Sequence, residues 1–294
     1  MILGQYVVML SRDKSILHEV QSNVKYTAKI KKYPDGSLEI LCADRAVFGA
    51  DGWEESGLER RQPLPPLPCP GRDTKSSDPA DIARARRRAA ARVRDIALCN
   101  RFTYFVTLTL SAEAIDRYDI KAATGKMRSW LDNRVRRCGL KYVLVPEHHK
   151  DGAIHFHGFF NDALPLADSG TLSMPGGKRP RKPRSGADYD RMIAAGGRVV
   201  YNLPDWQLGF STAIGLYGDY EAAIAYTCKY IGKEGEKIGG RWYYSGGDLA
   251  GPVLEYADLD IRDLESEGAY RFDVPAAGLC LCILRIKGDK VEAG

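Results

Sequence analysis

Apolar and polar residues alternate along several short segments of the chain, which is the pattern of β-strands with one buried face. The clearest such segment spans residues 102–110. Because side chains alternate across a strand, one face of this segment carries Thr103, Phe105, Thr107 and Thr109. The same pattern predicts strands at 140–146 and 153–160, with further strand candidates at 205–214, 241–245 and 279–286.

Apolar residues at helical spacing mark three other segments. The first helix, predicted at 78–98, begins at Asp78-Pro79, an N-capping aspartate followed by a proline that the first helical turn accepts. The second and third helices are predicted at 119–138 and 219–233.

Turn residues and prolines divide the chain into four parts. Residues 1–61 are predicted to be a β-rich region of unknown role that contains a hairpin with the turn Tyr33-Pro34-Asp35-Gly36. A proline-rich linker follows at 62–77, then a domain at 78–250 and a C-terminal extension at 251–294. Within the domain, the Gly-, Pro- and Lys/Arg-rich segment 161–196 is predicted to be a long basic loop.

Positive charge is concentrated in two segments of a chain whose net charge is only +5. The helix at 78–98 carries Arg87 and Arg88, and the basic loop carries Lys178, Arg179 and Arg181. Either run alone is typical of a solvated surface, so this charge permits binding to nucleic acid without demanding it.

Cysteine usage and hydropathy indicate the compartment. The seven cysteines are odd in number and scattered without CxxC spacing, which favours free thiols in a reducing environment. The sequence has no apolar run of transmembrane length, and its N-terminus lacks the basic start of a signal peptide. We therefore expect a soluble, cytoplasmic protein.

Four of the five histidines lie within residues 148–157. Two of them, His155 and His157, fall in the predicted strand at 153–160, where alternation places both imidazoles on one face. Two imidazoles on one strand face can chelate a divalent metal ion. The carboxylate of Glu147 lies just upstream and could complete such a site.

The helix at 219–233 has a second polar constellation. At about 100° per residue, one wedge of roughly 100° carries Tyr226, Lys229, Tyr230 and Lys233. Aliphatic residues lie on the opposite side of this helix and occupy the core-facing position. Phenols interleaved with ammonium groups suit a phosphate backbone, so the polar wedge is a candidate contact for nucleic acid.

A phenol needs assistance to attack a phosphodiester, because on the order of 0.1% of tyrosine is phenolate at neutral pH. A divalent ion can polarise the phosphate oxygens, and a neighbouring lysine adds charge stabilisation. The products would be a covalent phosphotyrosine and a free hydroxyl group.

Three segments together resemble, in order, the motifs of HUH endonucleases of the rolling-circle replication initiator class. They are residues 105–109, His155-Phe156-His157 and residues 226–233. The last segment is similar to the two-tyrosine motif of initiators from small single-stranded DNA phages. The resemblance covers roughly residues 80–250, and the tyrosines follow the histidines, whereas conjugative relaxases have the reverse order.

The resemblance implies an α+β fold of ferredoxin/RRM-like type, in which helices flank a central antiparallel sheet. The histidines would lie on a middle strand and the tyrosine helix would lie across them. A third metal ligand is commonly an acidic or polar residue upstream, and the implied metal is Mg²⁺ or Mn²⁺.

The length of the hairpin turn decides which upstream side chain joins the histidines. A turn of odd length places Glu147 and His149 on the histidine face, whereas a two-residue Asp151-Gly152 turn places His148 there. The sequence leaves the turn length open, and we favour Glu147 as the third ligand.

The activity that the resemblance implies is site-specific nicking and joining of single-stranded origin DNA through a 5′-phosphotyrosine. Tyr226 and Tyr230 would alternate as nucleophiles, with Lys229 and Lys233 stabilising charge. Further DNA contacts are expected from Thr107, Thr109, Arg87, Arg88, Lys178, Arg179 and Arg181. The sequence has no Gly-rich loop ending in Lys-Ser/Thr, so a host helicase and a polymerase are expected partners.

Two other functions remain open on the sequence alone. An HUH-type transposase would use the same chemistry, although two tyrosines favour replication. A non-catalytic DNA-binding regulator would instead use the histidines to hold a structural zinc ion.

Overall fold

The computed structural model describes residues 25–49, 78–149, 151–177, 179–216, 218, 220–233, 236–264, 268–274 and 277–288. The predicted linker at 62–77 and the candidate DNA contact Lys178 lie outside these residues. The described residues divide into two compact units, one drawn from 1–74 and 252–294 and the other from 75–251.

The larger unit contains a seven-stranded antiparallel sheet with the order β6-β7-β8-β3-β5-β4-β9. Its strands are β3 (Tyr104–Thr109), β4 (Tyr142–His148), β5 (Ile154–Phe160), β6 (Ala167–Ser173), β7 (Arg198–Asn202), β8 (Ser211–Gly215) and β9 (Tyr244–Gly246). Its helices are α1 (Pro79–Asn100), α2 (Ile120–Cys138), α3 (Gly186–Ala194) and α4 (Tyr220–Lys233). The expected α+β class with a central antiparallel sheet and flanking helices is confirmed.

One face of this sheet packs against α2 and forms the main core. The alternate residues of β3 and β5 that point to this side are all buried: Val106, Leu108, Ile154, Phe156 and Phe160. They meet Met127 and Leu131 of α2, which are also fully buried. The remaining alternate residues of β3 and β5 therefore point to the opposite face of the sheet.

Helix α1 packs against α4 on that opposite face. The Nη1 atom of Arg86 donates to the carbonyl oxygen of Gly232 at 3.0 Å, and the Cys228 thiol donates to Ala90 O at 3.5 Å. The Tyr220 hydroxyl donates to Ala97 O and accepts from Phe102 N. These contacts join both ends of α4 to α1. None of the described helices has the length and apolar character needed to cross a membrane.

The predicted long loop at 161–196 is a correction, because it contains β6 and α3. Strand β6 pairs with β7 despite a bulge between Asp168 and Thr171, and Ser185 caps α3 by accepting from Asp188 N. Each of these elements buries only one residue, Leu172 in β6 and Met192 in α3. So few apolar positions give no periodicity for a sequence pattern to reveal.

Two strand candidates also change their bounds. Of the segment 205–214, only the end belongs to β8, because Trp206 N donates to Leu203 O in a turn that precedes the strand. The candidate at 241–245 moves to β9, which begins at Tyr244.

The smaller unit is a five-stranded sheet with the order β10-β1-β2-β12-β11. Its strands are β1 (Ala28–Lys32), β2 (Leu38–Ala43), β10 (Val253–Ala257), β11 (Tyr270–Val274) and β12 (Leu279–Ile286). The predicted hairpin pairs β1 with β2, which are flanked by β10 and β12. Sequence analysis treats the two ends of the chain as separate segments, but the structure joins them in one sheet.

Gly158, which directly follows the histidine strand motif, lies where β4 passes closest to β5. A Cβ at this position would overlap the Val143 carbonyl oxygen and lie 2.9 Å from Leu144 Cα. We expect Gly158→Ala to lower the free energy of unfolding by about 1–3 kcal/mol or more, measured by urea denaturation.

Gly125→Ala is the matched control, because Gly125 lies in α2 and a Cβ there meets nothing within 4 Å. Alanine favours helix over glycine by about 1 kcal/mol, so this variant should be as stable as the wild type or more stable. Equal stability of the two variants would contradict the close packing of β4 on β5.

Candidate active site

The site begins with two histidines on β5 and two threonines on β3. Antiparallel pairing places Thr107 opposite His157 and Thr109 opposite His155. Thr107 Oγ1 lies 3.0 Å from His157 Nδ1, and Thr109 Oγ1 lies 3.2 Å from His155 Nδ1. The two imidazole rings are nearly parallel, with centroids 6.2 Å apart. Each ring is therefore held in a fixed orientation by the neighbouring strand.

This orientation directs the second ring nitrogen of each histidine toward β4. Because both Nδ1 atoms face β3, both Nε2 atoms point to the other side, where Glu147 lies opposite His155 in the β4–β5 pairing. Glu147 Oε2 is 3.1 Å from His157 Nε2. Two imidazole nitrogens and one carboxylate thus converge on one side of the sheet.

The hairpin turn resolves the parity that the sequence left open. His148 pairs with Ile154, so the intervening turn is odd in length and His148 shares the parity of the core-facing residues. His149 lies near the site, with its ring stacked on His155 at a centroid distance of 4.8 Å. However, His149 Nδ1 is 3.1 Å from an Asp151 carboxylate oxygen. Of the three upstream candidates, Glu147 has the most direct contact with the histidine pair.

Burial keeps both histidines in the neutral form that binds metal ions. Burial lowers the pKa of His157 to about 4, although the nearby Glu147 charge acts in the opposite direction. Burial, with a contribution from His149, also lowers the pKa of His155. At neutral pH the contact between His157 and Glu147 is therefore a hydrogen bond and not an ion pair.

Helix α4 lies over these histidines and presents both tyrosines. The ring of Tyr230 stacks on His157 with centroids 4.6 Å apart and an interplanar angle of 12°. The ring of Tyr226 makes an edge contact with Phe105, which itself stacks on His157. The opposite side of α4 is anchored by Ile224 and Ile231, which are buried. The predicted separation of an aliphatic side from a tyrosine side is therefore present.

The two tyrosines differ in exposure and in hydrogen bonding. Tyr230 donates its hydroxyl hydrogen to Tyr226 Oη. Burial, this donation and the nearby charges of Tyr226 and Glu147 raise the pKa of Tyr230. Tyr226 is 49% exposed. A donated hydrogen bond favours the anionic form of the acceptor oxygen, so the arrangement favours ionisation of Tyr226 over Tyr230.

The two candidate lysines have different positions. Lys233 Nζ is 2.6 Å from Glu147 Oε1 and 5.6 Å from the centre of the Tyr230 ring. Its ammonium group therefore lies beside both the carboxylate and the tyrosine. Lys229 is exposed and makes no hydrogen bond or ion pair with any described residue. Of the two, only Lys233 belongs to the cluster of histidine, glutamate and tyrosine side chains.

The arginines proposed as DNA contacts lie away from this cluster. Arg87 and Arg88 are exposed on α1. Arg179 is exposed, and Arg181 forms a backbone bridge to Leu172 on β6. In the strand order, β6 is four positions from β5, which is roughly 19 Å at the usual strand spacing. The structure does not bring these arginines to the histidines.

The side chains offer suitable donors for a divalent cation, although they are not preassembled around one. Among the described residues, no group of three or more His, Cys, Asp or Glu side chains is arranged to hold a metal ion. Glu147 instead bonds directly to His157 and Lys233. Two imidazoles whose Nε2 atoms point toward one carboxylate nevertheless fit the ligand chemistry of Mn²⁺ or Mg²⁺.

Two aromatic residues near the site were missed as functional candidates. Phe105 contacts both His157 and Tyr226, and its shared strand face with Thr107 could have indicated this position. Phe210 is 74% exposed beside β3, and a sequence gives no sign that such an apolar residue is solvent-facing.

The lowered pKa of His157 predicts a pH dependence of stability. The unfolded histidine binds a proton near pH 6.5, whereas the folded one does so only near pH 4, so stability falls as the pH drops through this window. We expect NMR titration of the His157 ring to give a midpoint near 4, and Glu147→Gln to lower it further. A midpoint near 6.5 would contradict the burial, and His157→Gln should reduce the slope of stability against pH.

Comparison with known proteins gives one match. Residues 103–235 match a family model of replication-associated proteins. This segment extends from just before β3 to just after α4 and includes the histidines, Glu147 and the tyrosines. No curated protein and no solved structure matches the chain. In this segment the chain is similar to replication-associated proteins, a finding consistent with a rolling-circle replication initiator and with DNA binding.

Proposed function

We propose that the chain initiates rolling-circle replication by nicking and rejoining single-stranded DNA through a 5′-phosphotyrosine. The observation that carries this proposal is the position of Tyr226 and Tyr230 directly over His157, with Glu147 on the same face. Neither a core role nor a structural metal site requires two phenols at this point.

In the proposed reaction, the Tyr226 hydroxyl oxygen attacks the scissile phosphorus. A new P–O bond forms to the tyrosine, the P–O bond to the 3′ oxygen breaks, and the phenolic proton is balanced by protonation of the released 3′ hydroxyl. Rejoining reverses these steps with a 3′ hydroxyl as the nucleophile. Tyr226 acts first because it is the more exposed tyrosine and accepts the hydrogen bond from Tyr230.

His155, His157 and Glu147 are the proposed ligands of a divalent cation, which would polarise the phosphate oxygens when bound. Thr107 and Thr109 have a positioning role in this scheme. A hydroxyl group can either donate to a histidine Nδ1 or accept from it. His157 can therefore carry its proton on Nε2 when it bonds Glu147, and on Nδ1 when Nε2 binds a metal ion, without losing its contact with Thr107.

Lys233 supplies positive charge beside the tyrosines. Its ammonium group is held by Glu147 and lies over the Tyr230 ring, so a phosphate between the tyrosines and the histidines would lie near it. Lys229, Arg87, Arg88, Arg179 and Arg181 are exposed and lie outside this cluster. For them we propose contacts with the DNA backbone farther from the scissile phosphate. Lys178 lies outside the described residues.

The partners of the reaction follow from its product. The reaction leaves a 3′ hydroxyl that a polymerase can extend, and strand separation requires a helicase because the sequence has no Gly-rich loop ending in Lys-Ser/Thr. We propose that host proteins supply both activities. A transposase would share the nicking chemistry, and the two adjacent tyrosines favour repeated nicking and joining during replication.

The adduct test uses single-stranded origin DNA labelled at its 3′ end, so that a labelled product stays attached to the protein on a denaturing gel. Tyr226→Phe should lower adduct formation by at least about 100-fold, and Tyr226→Phe/Tyr230→Phe should abolish it. Tyr220→Phe is the control, because Tyr220 lies on the same helix but bonds to the backbone of α1 and the following residues. An adduct in the double variant would overturn the assignment of the nucleophile.

The metal test separates catalysis from structural support. Chelator should abolish the adduct while leaving the thermal unfolding curve unchanged, and Mn²⁺ should restore activity at least as well as Mg²⁺. Unfolding in chelator would favour a structural zinc site and a regulator instead.

The same metal test extends to the positioning threonine. Thr107→Val removes one hydrogen bond to a proposed ligand and should weaken Mn²⁺ binding by about 10- to 100-fold, measured by calorimetry. Thr212→Val is the matched control, because Thr212 pairs with Thr107 from β8, the strand on the side of β3 that faces away from β5 and its histidines.

A further inference from the structure

Phe210 is the most exposed large hydrophobic side chain among the described residues, at 74%. It immediately precedes β8 and makes no aromatic contact with any other described residue. A solvent-facing phenylalanine does not stabilise the fold of the chain that carries it. Its position relative to the candidate active site therefore calls for a functional explanation.

The strand register places Phe210 on the same face as the histidines. Ser211 pairs with Leu108, and Thr109 N donates to Phe210 O at 2.8 Å, so Phe210 lies opposite Thr109. Ser211 is buried on the α2 side of the sheet, and the neighbouring side chain of Phe210 projects the other way.

One row of side chains therefore crosses the sheet from β8 to β4. It consists of Phe210, Thr109, His155 and Glu147. Phe210 is two strand positions from His155, which is about 10 Å between their Cα atoms. A DNA strand with a phosphate at the histidines could therefore bring a neighbouring base to the phenylalanine ring.

The backbone around Phe210 is held rigidly. Gly209 has a φ of 149°, and a Cβ there would come within 2.9 Å of the Leu110 carbonyl carbon, so this close approach requires glycine. Trp206 Nε1 donates to Thr109 O at 3.2 Å, and Leu203 N donates to Ser211 Oγ at 2.9 Å. The ring is thus presented from a fixed base, which lowers the entropic cost of binding a flat ligand.

We propose that Phe210 is a stacking platform for an unpaired base next to the scissile phosphate, an inference that rests on the proposed function. An aromatic ring can stack with any base because every base has a π face, and such stacking is typical of single-strand binding surfaces. Phe210 thereby fixes the path of the DNA strand across β8 and sets which phosphate reaches Tyr226.

The test measures binding of the full chain to a short single-stranded oligonucleotide of mixed sequence in chelator, where the proposed chemistry cannot proceed. Phe210→Ala should weaken binding by about tenfold. Phe210→Trp should retain wild-type affinity, whereas Phe210→Leu, which keeps apolar bulk without a ring, should resemble the alanine variant. Tyr270→Ala is the control, because Tyr270 is 67% exposed in the other unit.

Two further measurements distinguish stacking from a charge effect. Phe210→Ala should leave the slope of log affinity against log salt unchanged, because no phosphate contact is lost. An abasic substitution scanned along the oligonucleotide should weaken wild-type binding at one position and have no further effect there on Phe210→Ala.

The outcomes separate this proposal from the proposed function. Unchanged affinity in Phe210→Ala, or full affinity in Phe210→Leu, would overturn the stacking platform, even if the wild type still forms the covalent adduct with origin DNA. Loss of both DNA binding and adduct formation in the wild type would instead overturn the proposed function, and the stacking platform with it.

Discussion

The register between β3 and β5 is the constraint on which the candidate site depends. It pairs Thr107 with His157 and Thr109 with His155, and each pair is joined by a side-chain hydrogen bond. A slip of one residue would turn both imidazoles into the core and expose Phe156. Burial of the apolar half of each strand therefore fixes the imidazoles on the other face, so the core and the site are specified by the same alternation.

Helix α4 depends on a similar division of labour. Its buried residues Ile224, Thr227 and Ile231 set the rotation of the helix about its axis. Its contacts with α1, from Tyr220 near one end to Gly232 near the other, fix the position of the helix over the sheet. With rotation and position both fixed, Tyr230 stacks on His157 without relying on its own side chain for placement.

Local periodicity was sufficient to predict β3, β5, α1, α2 and α4, because each buries several residues at regular spacing. It also predicted that His155 and His157 share a face and that the aliphatic side of α4 is buried. It could not supply the turn length, which depends on hydrogen bonds within the β4–β5 loop, including Ala153 N to Asp151. Nor could it reveal the exposure of Phe210, since only neighbouring strands decide whether an apolar residue is covered.

The metal-free arrangement indicates how the proposed site differs from a structural one. A structural metal compensates ligands that would otherwise be buried without partners, so its removal exposes an energetic defect. Here the imidazoles are neutral and bonded to threonines, and Glu147 is bonded to both His157 and Lys233. The polar atoms of these ligands already have protein partners, and the sheet beneath them has its own core. Folding therefore does not require the ion, which leaves its charge available for a phosphate beside Tyr226.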